Sequence, residues 1–90
     1  MAEIGHFIAG EHLFDAGAPN QGVFNPAIGE QTSIVTLGGK PEVDKAMAAS
    51  LSAWPEWADM PVLRRARILD RFKAIMTERT NQLAHAITAE

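Results

Sequence analysis

Between Asp59 and Glu90 the apolar residues Val62, Ala66, Leu69, Phe72, Met76, Leu83 and Ile87 recur at gaps of three, four or their sum. That spacing lines one face of an α-helix, and no glycine or later proline interrupts it. Ile68 and Ile75 widen the stripe, while Arg64, Arg67, Arg71, Glu78, Asn81 and His85 fall on the wet side. A long amphipathic helix is therefore expected over 59–90, with Asp59 accepting from first-turn amides and Pro61 at the start, where a missing N–H costs little. Such a helix requires a partner for its stripe. The pattern is still running at Glu90, without a capping residue, which is what a piece of a larger chain would show.

The region before it divides readily. His6 to Phe14 reads as two very short strands turning at Ala9-Gly10, where Gly10 can take a positive φ. Asp15 to Gly22 is loop-like, and Val23-Phe24 leads into the turn Asn25-Pro26-Ala27-Ile28-Gly29-Glu30 and a return strand, Gln31 to Leu37. Neither face of that return strand is uniformly apolar, so it is expected at a sheet edge or under partial cover. Pro41, with Glu42 and Asp44 in the first turn, begins a short helix whose stripe is Val43, Met47, Leu51 and Trp54. Pro55 disfavours helical geometry at Trp54, so a turn is expected there. The fold class is α+β, two β-hairpins followed by two α-helices: hairpins over 6–37, a short helix and turn over 41–57, and the long helix over 59–90.

Composition restricts function. Ninety residues form at most one small domain, and zero cysteines exclude thiolate catalysis, thiolate metal ligation and disulfides from this polypeptide. The net charge is −3, with two basic and eight acidic residues before Arg64 and six basic and three acidic from there on. An acidic front half disfavours nucleic acid or an anionic membrane as partner of the whole chain. The start lacks the features of a secretory or transit peptide, and no apolar run approaches the ~20 residues that span a bilayer. A soluble, cytoplasmic protein is expected.

Four clusters invite a chemical reading, and each has a plainer one. Gly38-Gly-Lys-Pro41 superficially suggests a phosphate loop, but Ile34 stands where a glycine is required and Pro41 where a Ser or Thr is required. It reads better as a strand-to-helix turn. His6 and His12 could approach across the first hairpin, yet no third ligand accompanies them, so no metal site is expected. Arg64, Arg65, Arg67, Arg71 and Lys73 outline a nucleic-acid-reading helix, although Arg64, Arg67 and Arg71 also look like a solvated helix face. Trp54 and Trp57 are expected to lock the inter-helix turn rather than stack on a cofactor. No catalytic, cofactor-binding or metal-binding residue emerges.

The order of motifs nevertheless carries information. Phe7-Ile-x-Gly10, Val23-Phe-Asn-Pro-Ala-x-Gly-Glu30, Glu42-Val-Asp-x-Ala46, Trp54-Pro-x-Trp57, Arg64-Arg-Ala-Arg-Ile68 and Leu83-Ala-x-x-Ile-Thr-x-Glu90 together resemble the amino-terminal region of the aldehyde dehydrogenase superfamily. Val23-Phe-Asn-Pro, Arg64-Arg-Ala-Arg and Arg71-Phe-Lys73 look most like its CoA-acylating methylmalonate-semialdehyde dehydrogenases. The chain departs from the family at Ile28, where threonine is common, and at Ala9-Gly10, where the family has a polar Asn-Gly or Asp-Gly turn. Glu90 matches the first residue of a Glu-x-Gly-Lys motif. The resemblance implies the opening part of an α/β fold and, for a full-length parent, a cysteine thiolate that attacks an aldehyde, hydride transfer to NAD and thioester transfer to CoA or hydrolysis. It implies for this stretch a scaffolding role without activity or cofactor of its own, packed on the remainder of the dehydrogenase chain in a homo-oligomer, with Asn25 a turn residue. The competing expectation is a stand-alone helical binding module using the Arg64–Lys73 face on a partner or nucleic acid.

Overall fold

The computed structural model describes residues 2–90. Strands β1 (Ala2–Ile4), β2 (His6–Ile8), β3 (Glu11–Leu13), β4 (Asn20–Asn25) and β5 (Glu30–Thr36) precede helices α1 (Lys40–Asp59), α2 (Val62–Glu78) and α3 (Thr80–Thr88). Strands followed by helices is the order the sequence predicts. Both hairpins form as expected, β2 with β3 and β4 with β5, each antiparallel.

The second hairpin is held by its turn chemistry. The Asn25 side-chain oxygen accepts from the Ala27 amide at 2.9 Å, its carbonyl accepts from Gly29 at 2.8 Å, and Gly29 sits at φ 72°. A left-handed residue costs a side-chain-bearing amino acid roughly 1–2 kcal/mol, which is why glycine serves there. In the first hairpin Ala9 and Gly10 both have positive φ, 53° and 80°, so the two-residue turn loads one of its left-handed positions on an alanine.

Sequence reading missed β1 entirely. It pairs parallel with β5, Ala2 opposite Ser33 through Ile4 opposite Val35, giving the sheet order β1-β5-β4. The return strand is therefore the middle of a sheet rather than an edge, while the expected partial cover is present, since Thr32 to Val35 are half-buried and its last residue, Thr36, is 4% exposed. Its poor alternation also has a cause. Val23 faces Ser33 but Phe24 faces Gln31, so Thr32 is the extra residue of a bulge that resets the side-chain phase. The Thr32 hydroxyl donates to the Val23 carbonyl at 3.4 Å across the gap.

Two helix boundaries also differ from expectation. α1 continues through Pro55 to Asp59 instead of turning at Trp54. Pro55 removes one amide from the ladder and crowds the carbonyl one turn earlier, yet the helix runs on for four residues past it. Asp59 thus ends one helix rather than capping the next, and Pro61 stands at the N-cap of α2. The long helix is interrupted once, at Arg79, with φ −100° and ψ 21°. The Thr80 hydroxyl donates to the carbonyl of Thr77 at 2.7 Å and that of Met76 at 3.4 Å, competing with the backbone ladder at the break.

Packing is sparse everywhere except around β5. Among the described residues no apolar side chain is buried, and Leu51, Trp54, Val62, Phe72 and Ile87 are each more than 60% exposed or at that value. The radius of gyration is 16.9 Å, against about 12 Å for a compact domain of this length. Accessible area is 7430 Å², against roughly 5,200 Å² for a folded monomer of this mass. Exposed apolar side chains line all three helices, and Phe7, Phe24 and Ile28 of the hairpins are bare as well.

Two outcomes follow. Ala9→Asn, which tolerates the left-handed region, should stabilise the β2–β3 hairpin by about 1 kcal/mol, seen as roughly fivefold greater amide-exchange protection at Ile8 and Glu11. The isolated chain should bind an apolar dye and unfold without a sharp transition, as calorimetry would register; a cooperative, dye-silent monomer would contradict the bare stripes.

Candidate functional site

The sequence places glycines and a lysine where β5 hands over to α1, and this junction is also where the structure concentrates polar side chains. Gly39 is the N-cap of α1, Lys40 and Pro41 open it, and Glu42 stands at the third position. The Glu42 carboxylate reaches back and accepts from the Gly39 amide at 2.8 Å. This is half of a capping box, since Gly39 has no side chain to reciprocate. The bond favours the ionised acid and holds the Glu42 carboxyl below the ordinary glutamate range, with the Glu42 backbone amide acting in the same direction. Lys40 turns along the helix to pair with Asp44, one turn on.

A cleft of about 370 Å³ lies between this helix start and the β2–β3 hairpin. His6, His12, Asp15, Thr36, Glu42 and Lys45 contribute its polar wall, and Leu13 and Phe14 part of its apolar one. Asp15 is fixed by its own loop, accepting from the Gly17 amide at 2.8 Å. The His6 ring packs against Gly38, where an added Cβ would come within 3.0 Å of Cε1. His6 Nε2 and the Thr36 hydroxyl are both shielded from solvent and have no hydrogen-bond partner.

Of the other sequence candidates, His12 joins His6 on the lining of this cleft, and the rest disperse. Cross-strand register sets His12 opposite Phe7, with ring centroids 5.1 Å apart edge to face, and sets His6 opposite Leu13. Among the described residues no group of three His, Cys, Asp or Glu could hold a metal ion. Trp54 and Trp57 lie on one continuous helix, Trp54 is 61% exposed, and no contact between their rings is present, so the expected aromatic lock is not formed. In the basic run, Arg65 is half-buried and its Nε donates to the Met60 carbonyl at 3.1 Å, bracing the α1–α2 turn. Arg64, Arg67, Arg71 and Lys73 are exposed. Thr36 and Asp15 were not legible as site residues, because nothing in their local sequence marks a buried hydroxyl or a cleft wall. Glu42 was legible as a helix-start acid.

The arrangement contains no nucleophile paired with a base. It also fits neither NAD nor CoA. A pyrophosphate at a helix start needs free amides, but the Gly39 amide is engaged by Glu42, Pro41 has none, and the Glu42 carboxylate would repel the anion.

Comparison with known proteins accounts for this combination of ordered backbone and uncovered surface. The sequence pattern of the aldehyde dehydrogenase family matches residues 15–90. This chain belongs to that family, as an amino-terminal segment of its fold. Malonate-semialdehyde dehydrogenase 3 of Geobacillus kaustophilus is 39% identical over 85 residues, covering 94% of this chain and 18% of that protein. 5-Carboxymethyl-2-hydroxymuconate semialdehyde dehydrogenase of Escherichia coli is 32% identical over 90 residues, 19% of its length. In three dimensions the chain superposes with a TM-score of 0.94 on a methylmalonate-semialdehyde dehydrogenase from Oceanimonas doudoroffii, 34% identical, covering all of this chain and 18% of that one. It superposes equally on a Sinorhizobium meliloti protein assigned to the same enzymes and complexed with NAD, with 32% identity and the same 18% coverage. The chain therefore spans about a fifth of the relatives it matches.

The Glu42 cap gives a pH signature. Its folded carboxyl titrates below its unfolded value, so the stabilisation is complete above the ordinary glutamate range and is lost as pH falls through the depressed folded value. The protection factor of the Gly39 amide should fall over that acidic window. In Glu42→Gln it should be lower at neutral pH and lack this pH step.

Proposed function

We propose that this chain is the scaffolding amino-terminal segment of a cytoplasmic, homo-oligomeric, NAD-dependent and CoA-acylating malonate- or methylmalonate-semialdehyde dehydrogenase, a class that oxidises a semialdehyde to an acyl-CoA. The segment itself performs no chemistry. It supplies a surface on which the catalytic and cofactor-binding parts pack. The observation that carries this reading is that a backbone superposing at a TM-score of 0.94 on solved dehydrogenases leaves every helical apolar stripe bare. A layer that presents such a stripe is half of a packed pair, and the relatives possess four-fifths of a chain with which to complete it.

The substrate class rests on the relatives' chemistry and on Arg64-Arg-Ala-Arg67 and Val23-Phe-Asn-Pro26, the motifs that favour the CoA-acylating group. NAD and CoA belong, in this reading, to the remainder of the dehydrogenase, consistent with a helix start that Glu42 has already capped.

A chimera tests the proposal. Replacing the equivalent segment of the Geobacillus kaustophilus enzyme by this chain should leave CoA-dependent NADH formation from malonate semialdehyde within about tenfold of the unaltered enzyme, a barrier change of about 1.4 kcal/mol. The chain alone should produce no NADH. A soluble, assembled chimera without activity would overturn the subfamily assignment, and NADH formation by the chain alone would overturn the scaffolding role.

A further inference from the structure

The cleft between the β2–β3 hairpin and the start of α1 holds two polar atoms that nothing in this chain satisfies. Thr36 is 4% exposed, yet its hydroxyl has no partner, and His6 Nε2 beside the same cleft is likewise shielded and unpaired. Buried polar atoms left without partners each cost free energy and are rare in folded proteins. Two of them on one wall, in a space of about 370 Å³, are arranged for a ligand.

The wall also specifies the ligand's charge. Asp15 and Glu42 contribute two carboxylates, His6 and His12 two imidazoles and Lys45 one ammonium, and Lys45 makes no ion pair among the described residues. Each carboxylate has one oxygen committed to a backbone amide, leaving the other as acceptor: Asp15 Oδ1 to Gly17 and Glu42 Oε2 to Gly39. The threonine hydroxyl and a neutral imidazole nitrogen can both accept. The wall is thus rich in acceptors and net negative.

We propose that this cleft is a binding site for a cationic, multiply donating group of the guanidinium type, which donates to the Thr36 hydroxyl oxygen and His6 Nε2 between the carboxylates of Asp15 and Glu42. A planar guanidinium presents five N–H donors in a fixed fork, which matches a wall of several acceptors better than a point charge does. The group is either a free small cation or the side chain of an arginine on protein that covers this face.

The test is a titration of the 90-residue chain with methylguanidinium, read at the backbone amides of Thr36 and His6 by heteronuclear NMR. Saturable shifts are expected, with affinity at least about tenfold weaker in Thr36→Val, as loss of a charged hydrogen bond implies, and restored in Thr36→Ser. N-methylurea, which has similar shape without the charge, should bind more weakly. Absence of saturation, unchanged affinity in Thr36→Val, or acetate producing the larger response would each overturn the proposal. The dehydrogenase chimera separates the two sources. If an arginine of the covering protein fills the cleft, methylguanidinium no longer binds there; if the ligand is free, it still binds. The chimera also provides a reading independent of whether the isolated chain is well ordered. Thr36→Val should lower its thermal midpoint, or with a free ligand abolish the rise that methylguanidinium gives; a Thr36→Val variant that is more stable, with no response to methylguanidinium, would mean the hydroxyl is simply unpaired. These readouts concern binding and stability, so an inactive chimera leaves them intact.

Discussion

Apolar surface must be covered by a second layer, and the helical stripes of this chain are left exposed. With a radius of gyration of 16.9 Å and no buried apolar side chain among the described residues, the chain is ordered locally by hydrogen bonds and turns instead of by a core. β5 is the partial exception, flanked on both edges and ending in Thr36, the single buried residue among the described ones. The helices obtain their regularity from i→i+4 bonding and caps such as Glu42, and depend on other protein for their burial.

That division determines what could be read from the residues. The 3.6-residue spacing from Val62 to Ile87 and the turn residues Asn25, Gly29 and Gly10 act within a few positions, so the helical region and both hairpins were legible. β1 was not, because three residues carry no periodicity and its partner lies some thirty positions away. The bulge at Thr32 disguised β5 as an edge strand by breaking its alternation. Pro55 misled because a proline is a stronger signal of a helix boundary than the surrounding alanines are of continuity, and the break at Arg79 arises from a threonine hydroxyl that periodicity does not register. The family was legible from motif order even though the cleft was not, since motifs are contiguous and the cleft joins His6, Asp15, Thr36 and Glu42 across four segments.

The same contrast explains why a dehydrogenase segment can be recognised without any dehydrogenase chemistry. Its characteristic residues are those that bend and cap the backbone: Asn25 accepting from Ala27, Arg65 bracing Met60, Glu42 closing the helix start. They define a shape. In this chain the positive end of α1 is satisfied internally, so the feature that elsewhere receives phosphate is here used to join a strand to a helix.

The parallel pairing of β1 with β5 also orders events in time. Each hairpin closes a short loop, an event of the microsecond scale, whereas β1 can dock only after β5 has emerged and paired with β4, since it needs an existing edge and a loop of about thirty residues. β1, which precedes both hairpins in sequence, is thus among the last elements to be placed. At Gly5 the chain steps from that sheet to the β2–β3 hairpin, and an added Cβ there would lie 2.2 Å from the Leu13 carbonyl oxygen. The late-docking strand is tethered through a point with no space to adjust, so the hairpin, once formed, presents β1 to the β5 edge along a narrow range of directions.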